Sequence, residues 1–150
     1  MTSIEKLNSL LNQLEYKLEH SAFTPDSKND LRQENLHQIY RLFKSLGIDK
    51  KHHHFKSIFN YKAINLAGIA LKDENFAEIH EGRYIQIISI AYEVNSTGKQ
   101  IVKNTSLGYY GKAEKIEPQL KNDIIEFVLR WRYEKSFQQS DHYQELISRL

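Results

Sequence analysis

The sequence predicts an α+β fold: a small antiparallel sheet of about three strands, packed against an N-terminal helical hairpin and a long C-terminal helix. Three observations carry this prediction. Residues 83–94 read Arg-Tyr-Ile-Gln-Ile-Ile-Ser-Ile-Ala-Tyr-Glu-Val, with Tyr84, Ile88, Ile90, Tyr92 and Val94 on one side of a strand and Ile85, Ile87 and Ala91 on the other. Apolar positions on both sides predict a central strand buried on both faces. Ile4, Leu7, Leu11, Leu14 and Leu18 recur at helical spacing, as do Leu36, Ile39, Phe43 and Leu46, with a break around Pro25 between the two runs. Two helices joined by so short a break lie antiparallel. Finally, Leu120, Ile124, Phe127, Val128 and Trp131 form a broad stripe behind Pro118, which suits the first turn of a helix over 117–138.

The elements follow in order. Thr2 and Glu5 have the spacing of a capping box for a helix over residues 3–20, with Leu10 widening its stripe. Pro25 holds Thr24 away from helical geometry; Asp26 or Ser27 caps the second helix, and Gly47 suits the left-handed residue that ends it. Residues 53–60 are read as a short helix and 63–71 as a strand, because the central strand needs a second neighbour beyond its hairpin partner. Lys72-Asp73-Glu74-Asn75 and Glu81-Gly82 are turns, as is Asn95-Ser96-Thr97-Gly98-Lys99, which returns the chain into a strand over 100–110. Lys103 and Asn104 interrupt that strand's pattern, as in an edge strand whose charge discourages pairing. After the third helix, Ser140 or Asp141 starts a last helix, in which Tyr143, Leu146, Ile147 and Leu150 share a face.

A chain of 150 residues predicts a single globular domain, 1–150, large enough to bury a real core. The absence of cysteine excludes disulfides, thiolate metal sites and a cysteine nucleophile. Met-Thr-Ser-Ile-Glu-Lys has no basic segment before an apolar core, and no apolar run approaches a membrane span, so the expected location is cytoplasmic, with no membrane partner. The net charge of +2 is nearly balanced along the chain, except between 83 and 116, where Arg83, Lys99, Lys103, Lys112 and Lys115 face only Glu93 and Glu114. That excess hints at an acidic partner and falls short of a dedicated DNA-binding footprint.

No phosphate-binding loop, nucleophile elbow, metalloprotease helix or dinucleotide fingerprint is present, so no catalytic residue and no cofactor is assigned. His52 and His54 fall on one side of an extended segment, and with His80 they make the cheapest metal hypothesis to test; a third and fourth ligand lack a recognisable spacing, and no metal site is assigned. The candidate partner-binding residues are Arg83, Lys99, Lys103, Tyr109, Tyr110 and Lys112 on the hairpin, with Arg132 and Tyr133 beside Trp131 on the long helix. Cations that track phosphates beside stacking aromatics also suit RNA, whereas Tyr, Trp and Arg suit a protein interface. The leading expectation is a non-enzymatic interaction protein of the inhibitor, immunity or adaptor type, acting on a protein partner. The alternative is an RNA-binding or RNA-processing module built on the basic, tyrosine-containing hairpin. Two helices followed by such a hairpin loosely resembles small ribosome-dependent ribonuclease toxins; the resemblance is one of arrangement, and no residue carries over from it.

Overall fold

The computed structural model describes residues 25–150 together with Thr2, Ile4, Glu5, Asn8, Ser9 and Asn12. Thr2 and Glu5 form the expected reciprocal cap: the Glu5 N–H donates to Thr2 Oγ1 at 3.1 Å, and the Thr2 N–H donates to Glu5 Oε2 at 2.9 Å. The leucine stripe of that first helix, and the hairpin it predicts, lie outside the described residues.

Two long helices are described, α1 (Pro25–Ser45) and α2 (Pro118–Ser148). Glu117 caps α2 by accepting from the N–H groups of Gln119 and Leu120, ahead of Pro118 in the first turn. The separate last helix expected from Ser140 is a continuation of α2: Asp141 is engaged by Lys28 and Arg32 instead of capping a new start. Polar pairs along the seam run in opposite directions on the two helices, Lys28 with Asp141, Arg32 with Glu134 and Asn35 with Arg130, so α1 and α2 are antiparallel.

The sheet is three-stranded and antiparallel in the order β1 (Ala63–Ala67), β2 (Tyr84–Val94), β3 (Gln100–Lys112). β1 is shorter than the expected 63–71 because Gly68 turns left-handed at φ 89°, with a Cβ there crowding the Tyr84 carbonyl; Ile69 beyond it makes only an isolated bridge to Ile79. The expected short helix is a 3-10 helix, Phe55–Asn60. The β2–β3 turn is held by Asn95, whose Oδ1 accepts from the N–H of Thr97, the N–H of Lys99 and the Thr97 hydroxyl, with Gly98 at φ 83°.

The core lies on one side of the sheet. Ile64, Ile85, Ile87 and Leu107 are fully buried against Ile39, Leu42 and Phe43 of α1 and Ile124, Phe127, Val128 and Trp131 of α2. The indole N–H of Trp131 donates to the Ile58 carbonyl at 2.9 Å. The expectation that β2 is buried on both faces is therefore corrected. Both described helices cover the same face, leaving Tyr84 and Tyr92 half exposed on the other, with Ile88 and Ile90 partly covered. An antiparallel sheet tolerates one such face where a parallel one does not. No helix among the described residues is long and apolar enough to cross a membrane.

Candidate interaction surface

Which side chains reach the open face follows from the register. β2 contributes Tyr84, Gln86, Ile88, Ile90, Tyr92 and Val94, and β3 contributes their direct partners Lys112, Tyr109, Ser106, Asn104, Val102 and Gln100. Ala63, Asn65 and Ala67 of β1 lie opposite Ile90, Ile88 and Gln86 and complete it. Residues directly opposite share a face, so the grouping is fixed by pairing alone. The Tyr84 and Tyr109 rings meet diagonally across the strands, with centroids 5.8 Å apart and planes tilted by 31°. Lys112 is the only charged side chain that this register of described residues places on the face.

Two register shifts in β3 decide which tyrosine is outside. At the first, Ile87 faces Gly108 and Ile88 faces Ser106, so Leu107 is an extra residue, and Leu107 and Gly108 are both buried. Such a bulge inverts the phase of everything beyond it. Tyr109 is thereby turned onto the open face and left 57% exposed, while Tyr110 is turned into the protein. The ring of Tyr110 lies over Gly108, where any Cβ would collide with it, and its hydroxyl donates to the Leu46 carbonyl at 3.0 Å, just past the end of α1. Burial pushes the Tyr110 hydroxyl up from 10 to about 12. The second shift, near Gly111 at φ 85°, sets Lys112 opposite Tyr84.

The expected site residues thus divide. Tyr109 and Lys112 sit together on the open face with exposed Arg83 at its end. Lys99 and Lys103 lie towards the far end of the hairpin, about 20–35 Å away along strands that rise roughly 3.3 Å per residue. Lys103 pairs with Glu93 at 3.5 Å. Tyr110 is a packing residue. Arg132 is turned to the opposite edge of the sheet, where it donates to the Ile64 carbonyl at 3.1 Å, and burial lowers its pKa. Tyr133 is half exposed on α2 and packs on Phe137 at 4.7 Å, apart from the sheet. Tyr84 and Tyr92, read from the sequence only as core, join the surface; their strand alternation was the available signal.

The basic excess is also partly neutralised. Glu114 accepts from the Gly82 N–H at 3.2 Å beside Arg83. Its own backbone N–H, then that of Gly82, then Lys112 and Lys115 hold its carboxyl below the usual range. No family model, curated protein or solved structure matches the chain.

Two other polar regions are a cleft and the histidine segment. An open, polar cleft of about 580 Å³ is lined by Tyr61, Lys62, Ala91, Lys135 and Gln138, and also by Tyr92 of the open face. Lys135 is already committed there: its ammonium donates to the Phe59 carbonyl at 2.9 Å and lies 5.5 Å from the Trp131 ring centroid, and burial followed by Lys62 lowers its pKa. Of the histidines, His52 contacts the Tyr61 hydroxyl at 3.0 Å, and burial is the main cause of its lowered pKa. Among the described residues, no three His, Asp or Glu side chains are grouped to hold a metal ion.

Proposed function

We propose that the protein acts by binding a partner protein through the open face of its sheet, in the manner of an inhibitor, immunity protein or adaptor. The observation that carries this reading is the composition of the face: exposed Tyr84, Tyr92, Val102 and Tyr109 around half-buried Ile88 and Ile90, bordered by Gln, Asn and Ser, with no carboxylate and a single lysine among the described residues that the strand register places there. Aromatic and apolar groups with few charges are what the buried centre of a protein interface requires. Tyrosines ordered by strand packing also lose little freedom when a partner covers them.

The Tyr84–Tyr109 pair beside Lys112 supports a second reading, in which the rings stack on bases of single-stranded RNA. Its electrostatic support is thin, since phosphate tracking needs several free cations and Glu114 and Glu93 engage those at each end.

A photo-crosslinking side chain at Tyr92, compared with one at exposed Gln33 on α1, tests the first reading in the native cell. The expected result is a discrete protein adduct from position 92 alone, lost when Tyr84→Ala and Tyr109→Ala are introduced together. Equal adducts from both positions count against it. Nucleic acid that copurifies and dissociates steeply with salt replaces it with the second.

A further inference from the structure

We propose that the outer edge of β3 over residues 100–106 is a strand-addition site for an extended, acidic segment of the partner protein. This rests on the interface reading above and specifies how the partner docks. The phase of the hairpin shows where the backbone groups point. The Asn95 N–H donates to the Lys99 carbonyl at 2.9 Å, so this is a hydrogen-bonded pair, and alternation makes Glu93 with Ile101, Ala91 with Lys103 and Ser89 with Thr105 hydrogen-bonded as well. The intervening residues Gln100, Val102, Asn104 and Ser106 therefore aim their N–H and C=O groups away from β2. The Ile90 carbonyl, opposite Asn104, is taken from the β1 side by the Lys62 N–H at 2.8 Å, as this phase requires. Among the described residues no strand lies beyond β3.

This stretch differs from every other edge of the sheet. Its residues 100–106 pair with β2 in unbroken register, whereas the rest of β3 is broken by the bulges at Leu107 and Gly111, which discourage pairing. The outer edge of β1 is short, and Arg132 already occupies its Ile64 carbonyl. Residues 100–104 are all exposed, so among the described residues an incoming strand meets no covering element.

Charge selects the occupant. Ile101, Lys103 and Lys99 share the side of the hairpin opposite Val102 and Asn104; Glu93, opposite Ile101, lies on the same side and pairs with Lys103 at 3.5 Å, so two lysines against one carboxylate leave that side positive by one charge. Two copies of this chain pairing antiparallel across this edge crowd Lys99 and Lys103 against their counterparts, and like charges across strands are destabilising. An extended segment of about seven residues spans the edge. Carboxylates at alternate positions meet the lysines, and the positions between them extend the tyrosine face beside Val102.

The test uses the full chain as bait for a displayed library of random dodecapeptides, followed by the selected peptides in solution. Asn104→Pro deletes one outward N–H without touching the ladder to β2, and proline is tolerated on an edge strand. The expected result is enrichment of alternating acidic peptides that bind Asn104→Pro about tenfold more weakly or worse. They should also slow hydrogen exchange at the amides of Val102 and Asn104, a readout that works in the unmutated protein. No enrichment, undiminished binding to a folded Asn104→Pro variant, or unchanged exchange at those amides overturns the proposal. Peptides lost only with Tyr84→Ala and Tyr109→Ala overturn strand addition while leaving the open-face reading in place. A concentration-dependent dimer abolished by Asn104→Pro makes a second copy the occupant and also overturns it.

Discussion

The two faces of β2 are built from similar side chains and serve different ends. Ile85, Ile87 and Ser89 are completely buried beneath α1 and α2, while Tyr84, Tyr92 and Val94 of the same strand are at least half exposed. Hydrophobicity alone does not separate them. The difference is what lies opposite: two helices joined by a polar seam on one side, and among the described residues no element on the other. An apolar side chain therefore contributes to stability or to recognition according to its covering, and substitutions on the two faces should have opposite profiles.

The largest expected effect is on the covered face. Phe127→Ala empties a fully buried site and should cost about 4 kcal/mol in urea unfolding, against little change for any open-face residue. A result below about 1 kcal/mol would mean that the covered side is not the stabilising one. Next comes the seam that holds the cover together. Glu134 is 2% exposed, and Arg32 donates to its Oε1 from Nε at 2.9 Å and Nη2 at 2.7 Å. Arg32→Ala leaves that carboxylate buried without its cation and should cost about 3 kcal/mol, less than for a wholly buried pair because Arg32 is partly exposed.

Gly108→Ala tests the bulge that separates the faces. Its Cβ displaces the Tyr110 ring, with an expected loss of about 2 kcal/mol. Tyr110→Phe removes only the bond to Leu46 and should cost about 1 kcal/mol. It also carries a pH signature. The folded state retains a proton that the unfolded chain releases above pH 10, so this contribution is whole below pH 10 and is lost as pH rises towards about 12. Unfolding measured across that window should decline less steeply in Tyr110→Phe than in the parent.

The smallest effect on stability belongs to the open face. Tyr84→Ala with Tyr109→Ala breaks one exposed ring contact and should change unfolding by about 1 kcal/mol or less, while removing the partner adduct at position 92. A large loss of stability would identify the tyrosines as structural and collapse the contrast between faces.

Much of the architecture was legible from residue spacing. The apolar repeats of α1 and α2, Pro118 at a helix start, Gly47 at a helix end and the Asn95–Lys99 turn all emerged where periodicity and local backbone chemistry place them. The continuation of α2 through Ser140 was not legible, because the residues that occupy Asp141 come from α1, more than a hundred positions away. The candidate surface was legible only in part. Tyr109 and Lys112 were identifiable as hairpin residues, but Arg132, a candidate from the long helix, belongs to the other edge of the sheet.

What the sequence determined by itself is the partition of β2 into two alternating sets, since a strand's period of two follows from local backbone geometry. Only the tertiary structure decided which set is core and which is surface, because that depends on where helices distant in sequence come to rest. It also decided that Tyr109 faces solvent and Tyr110 does not. One unpaired residue at Leu107 inverts the strand's phase, and whether a ladder admits such a residue is settled by the partner strand and the core beneath it, through Ile87, Gly108 and the Leu46 carbonyl.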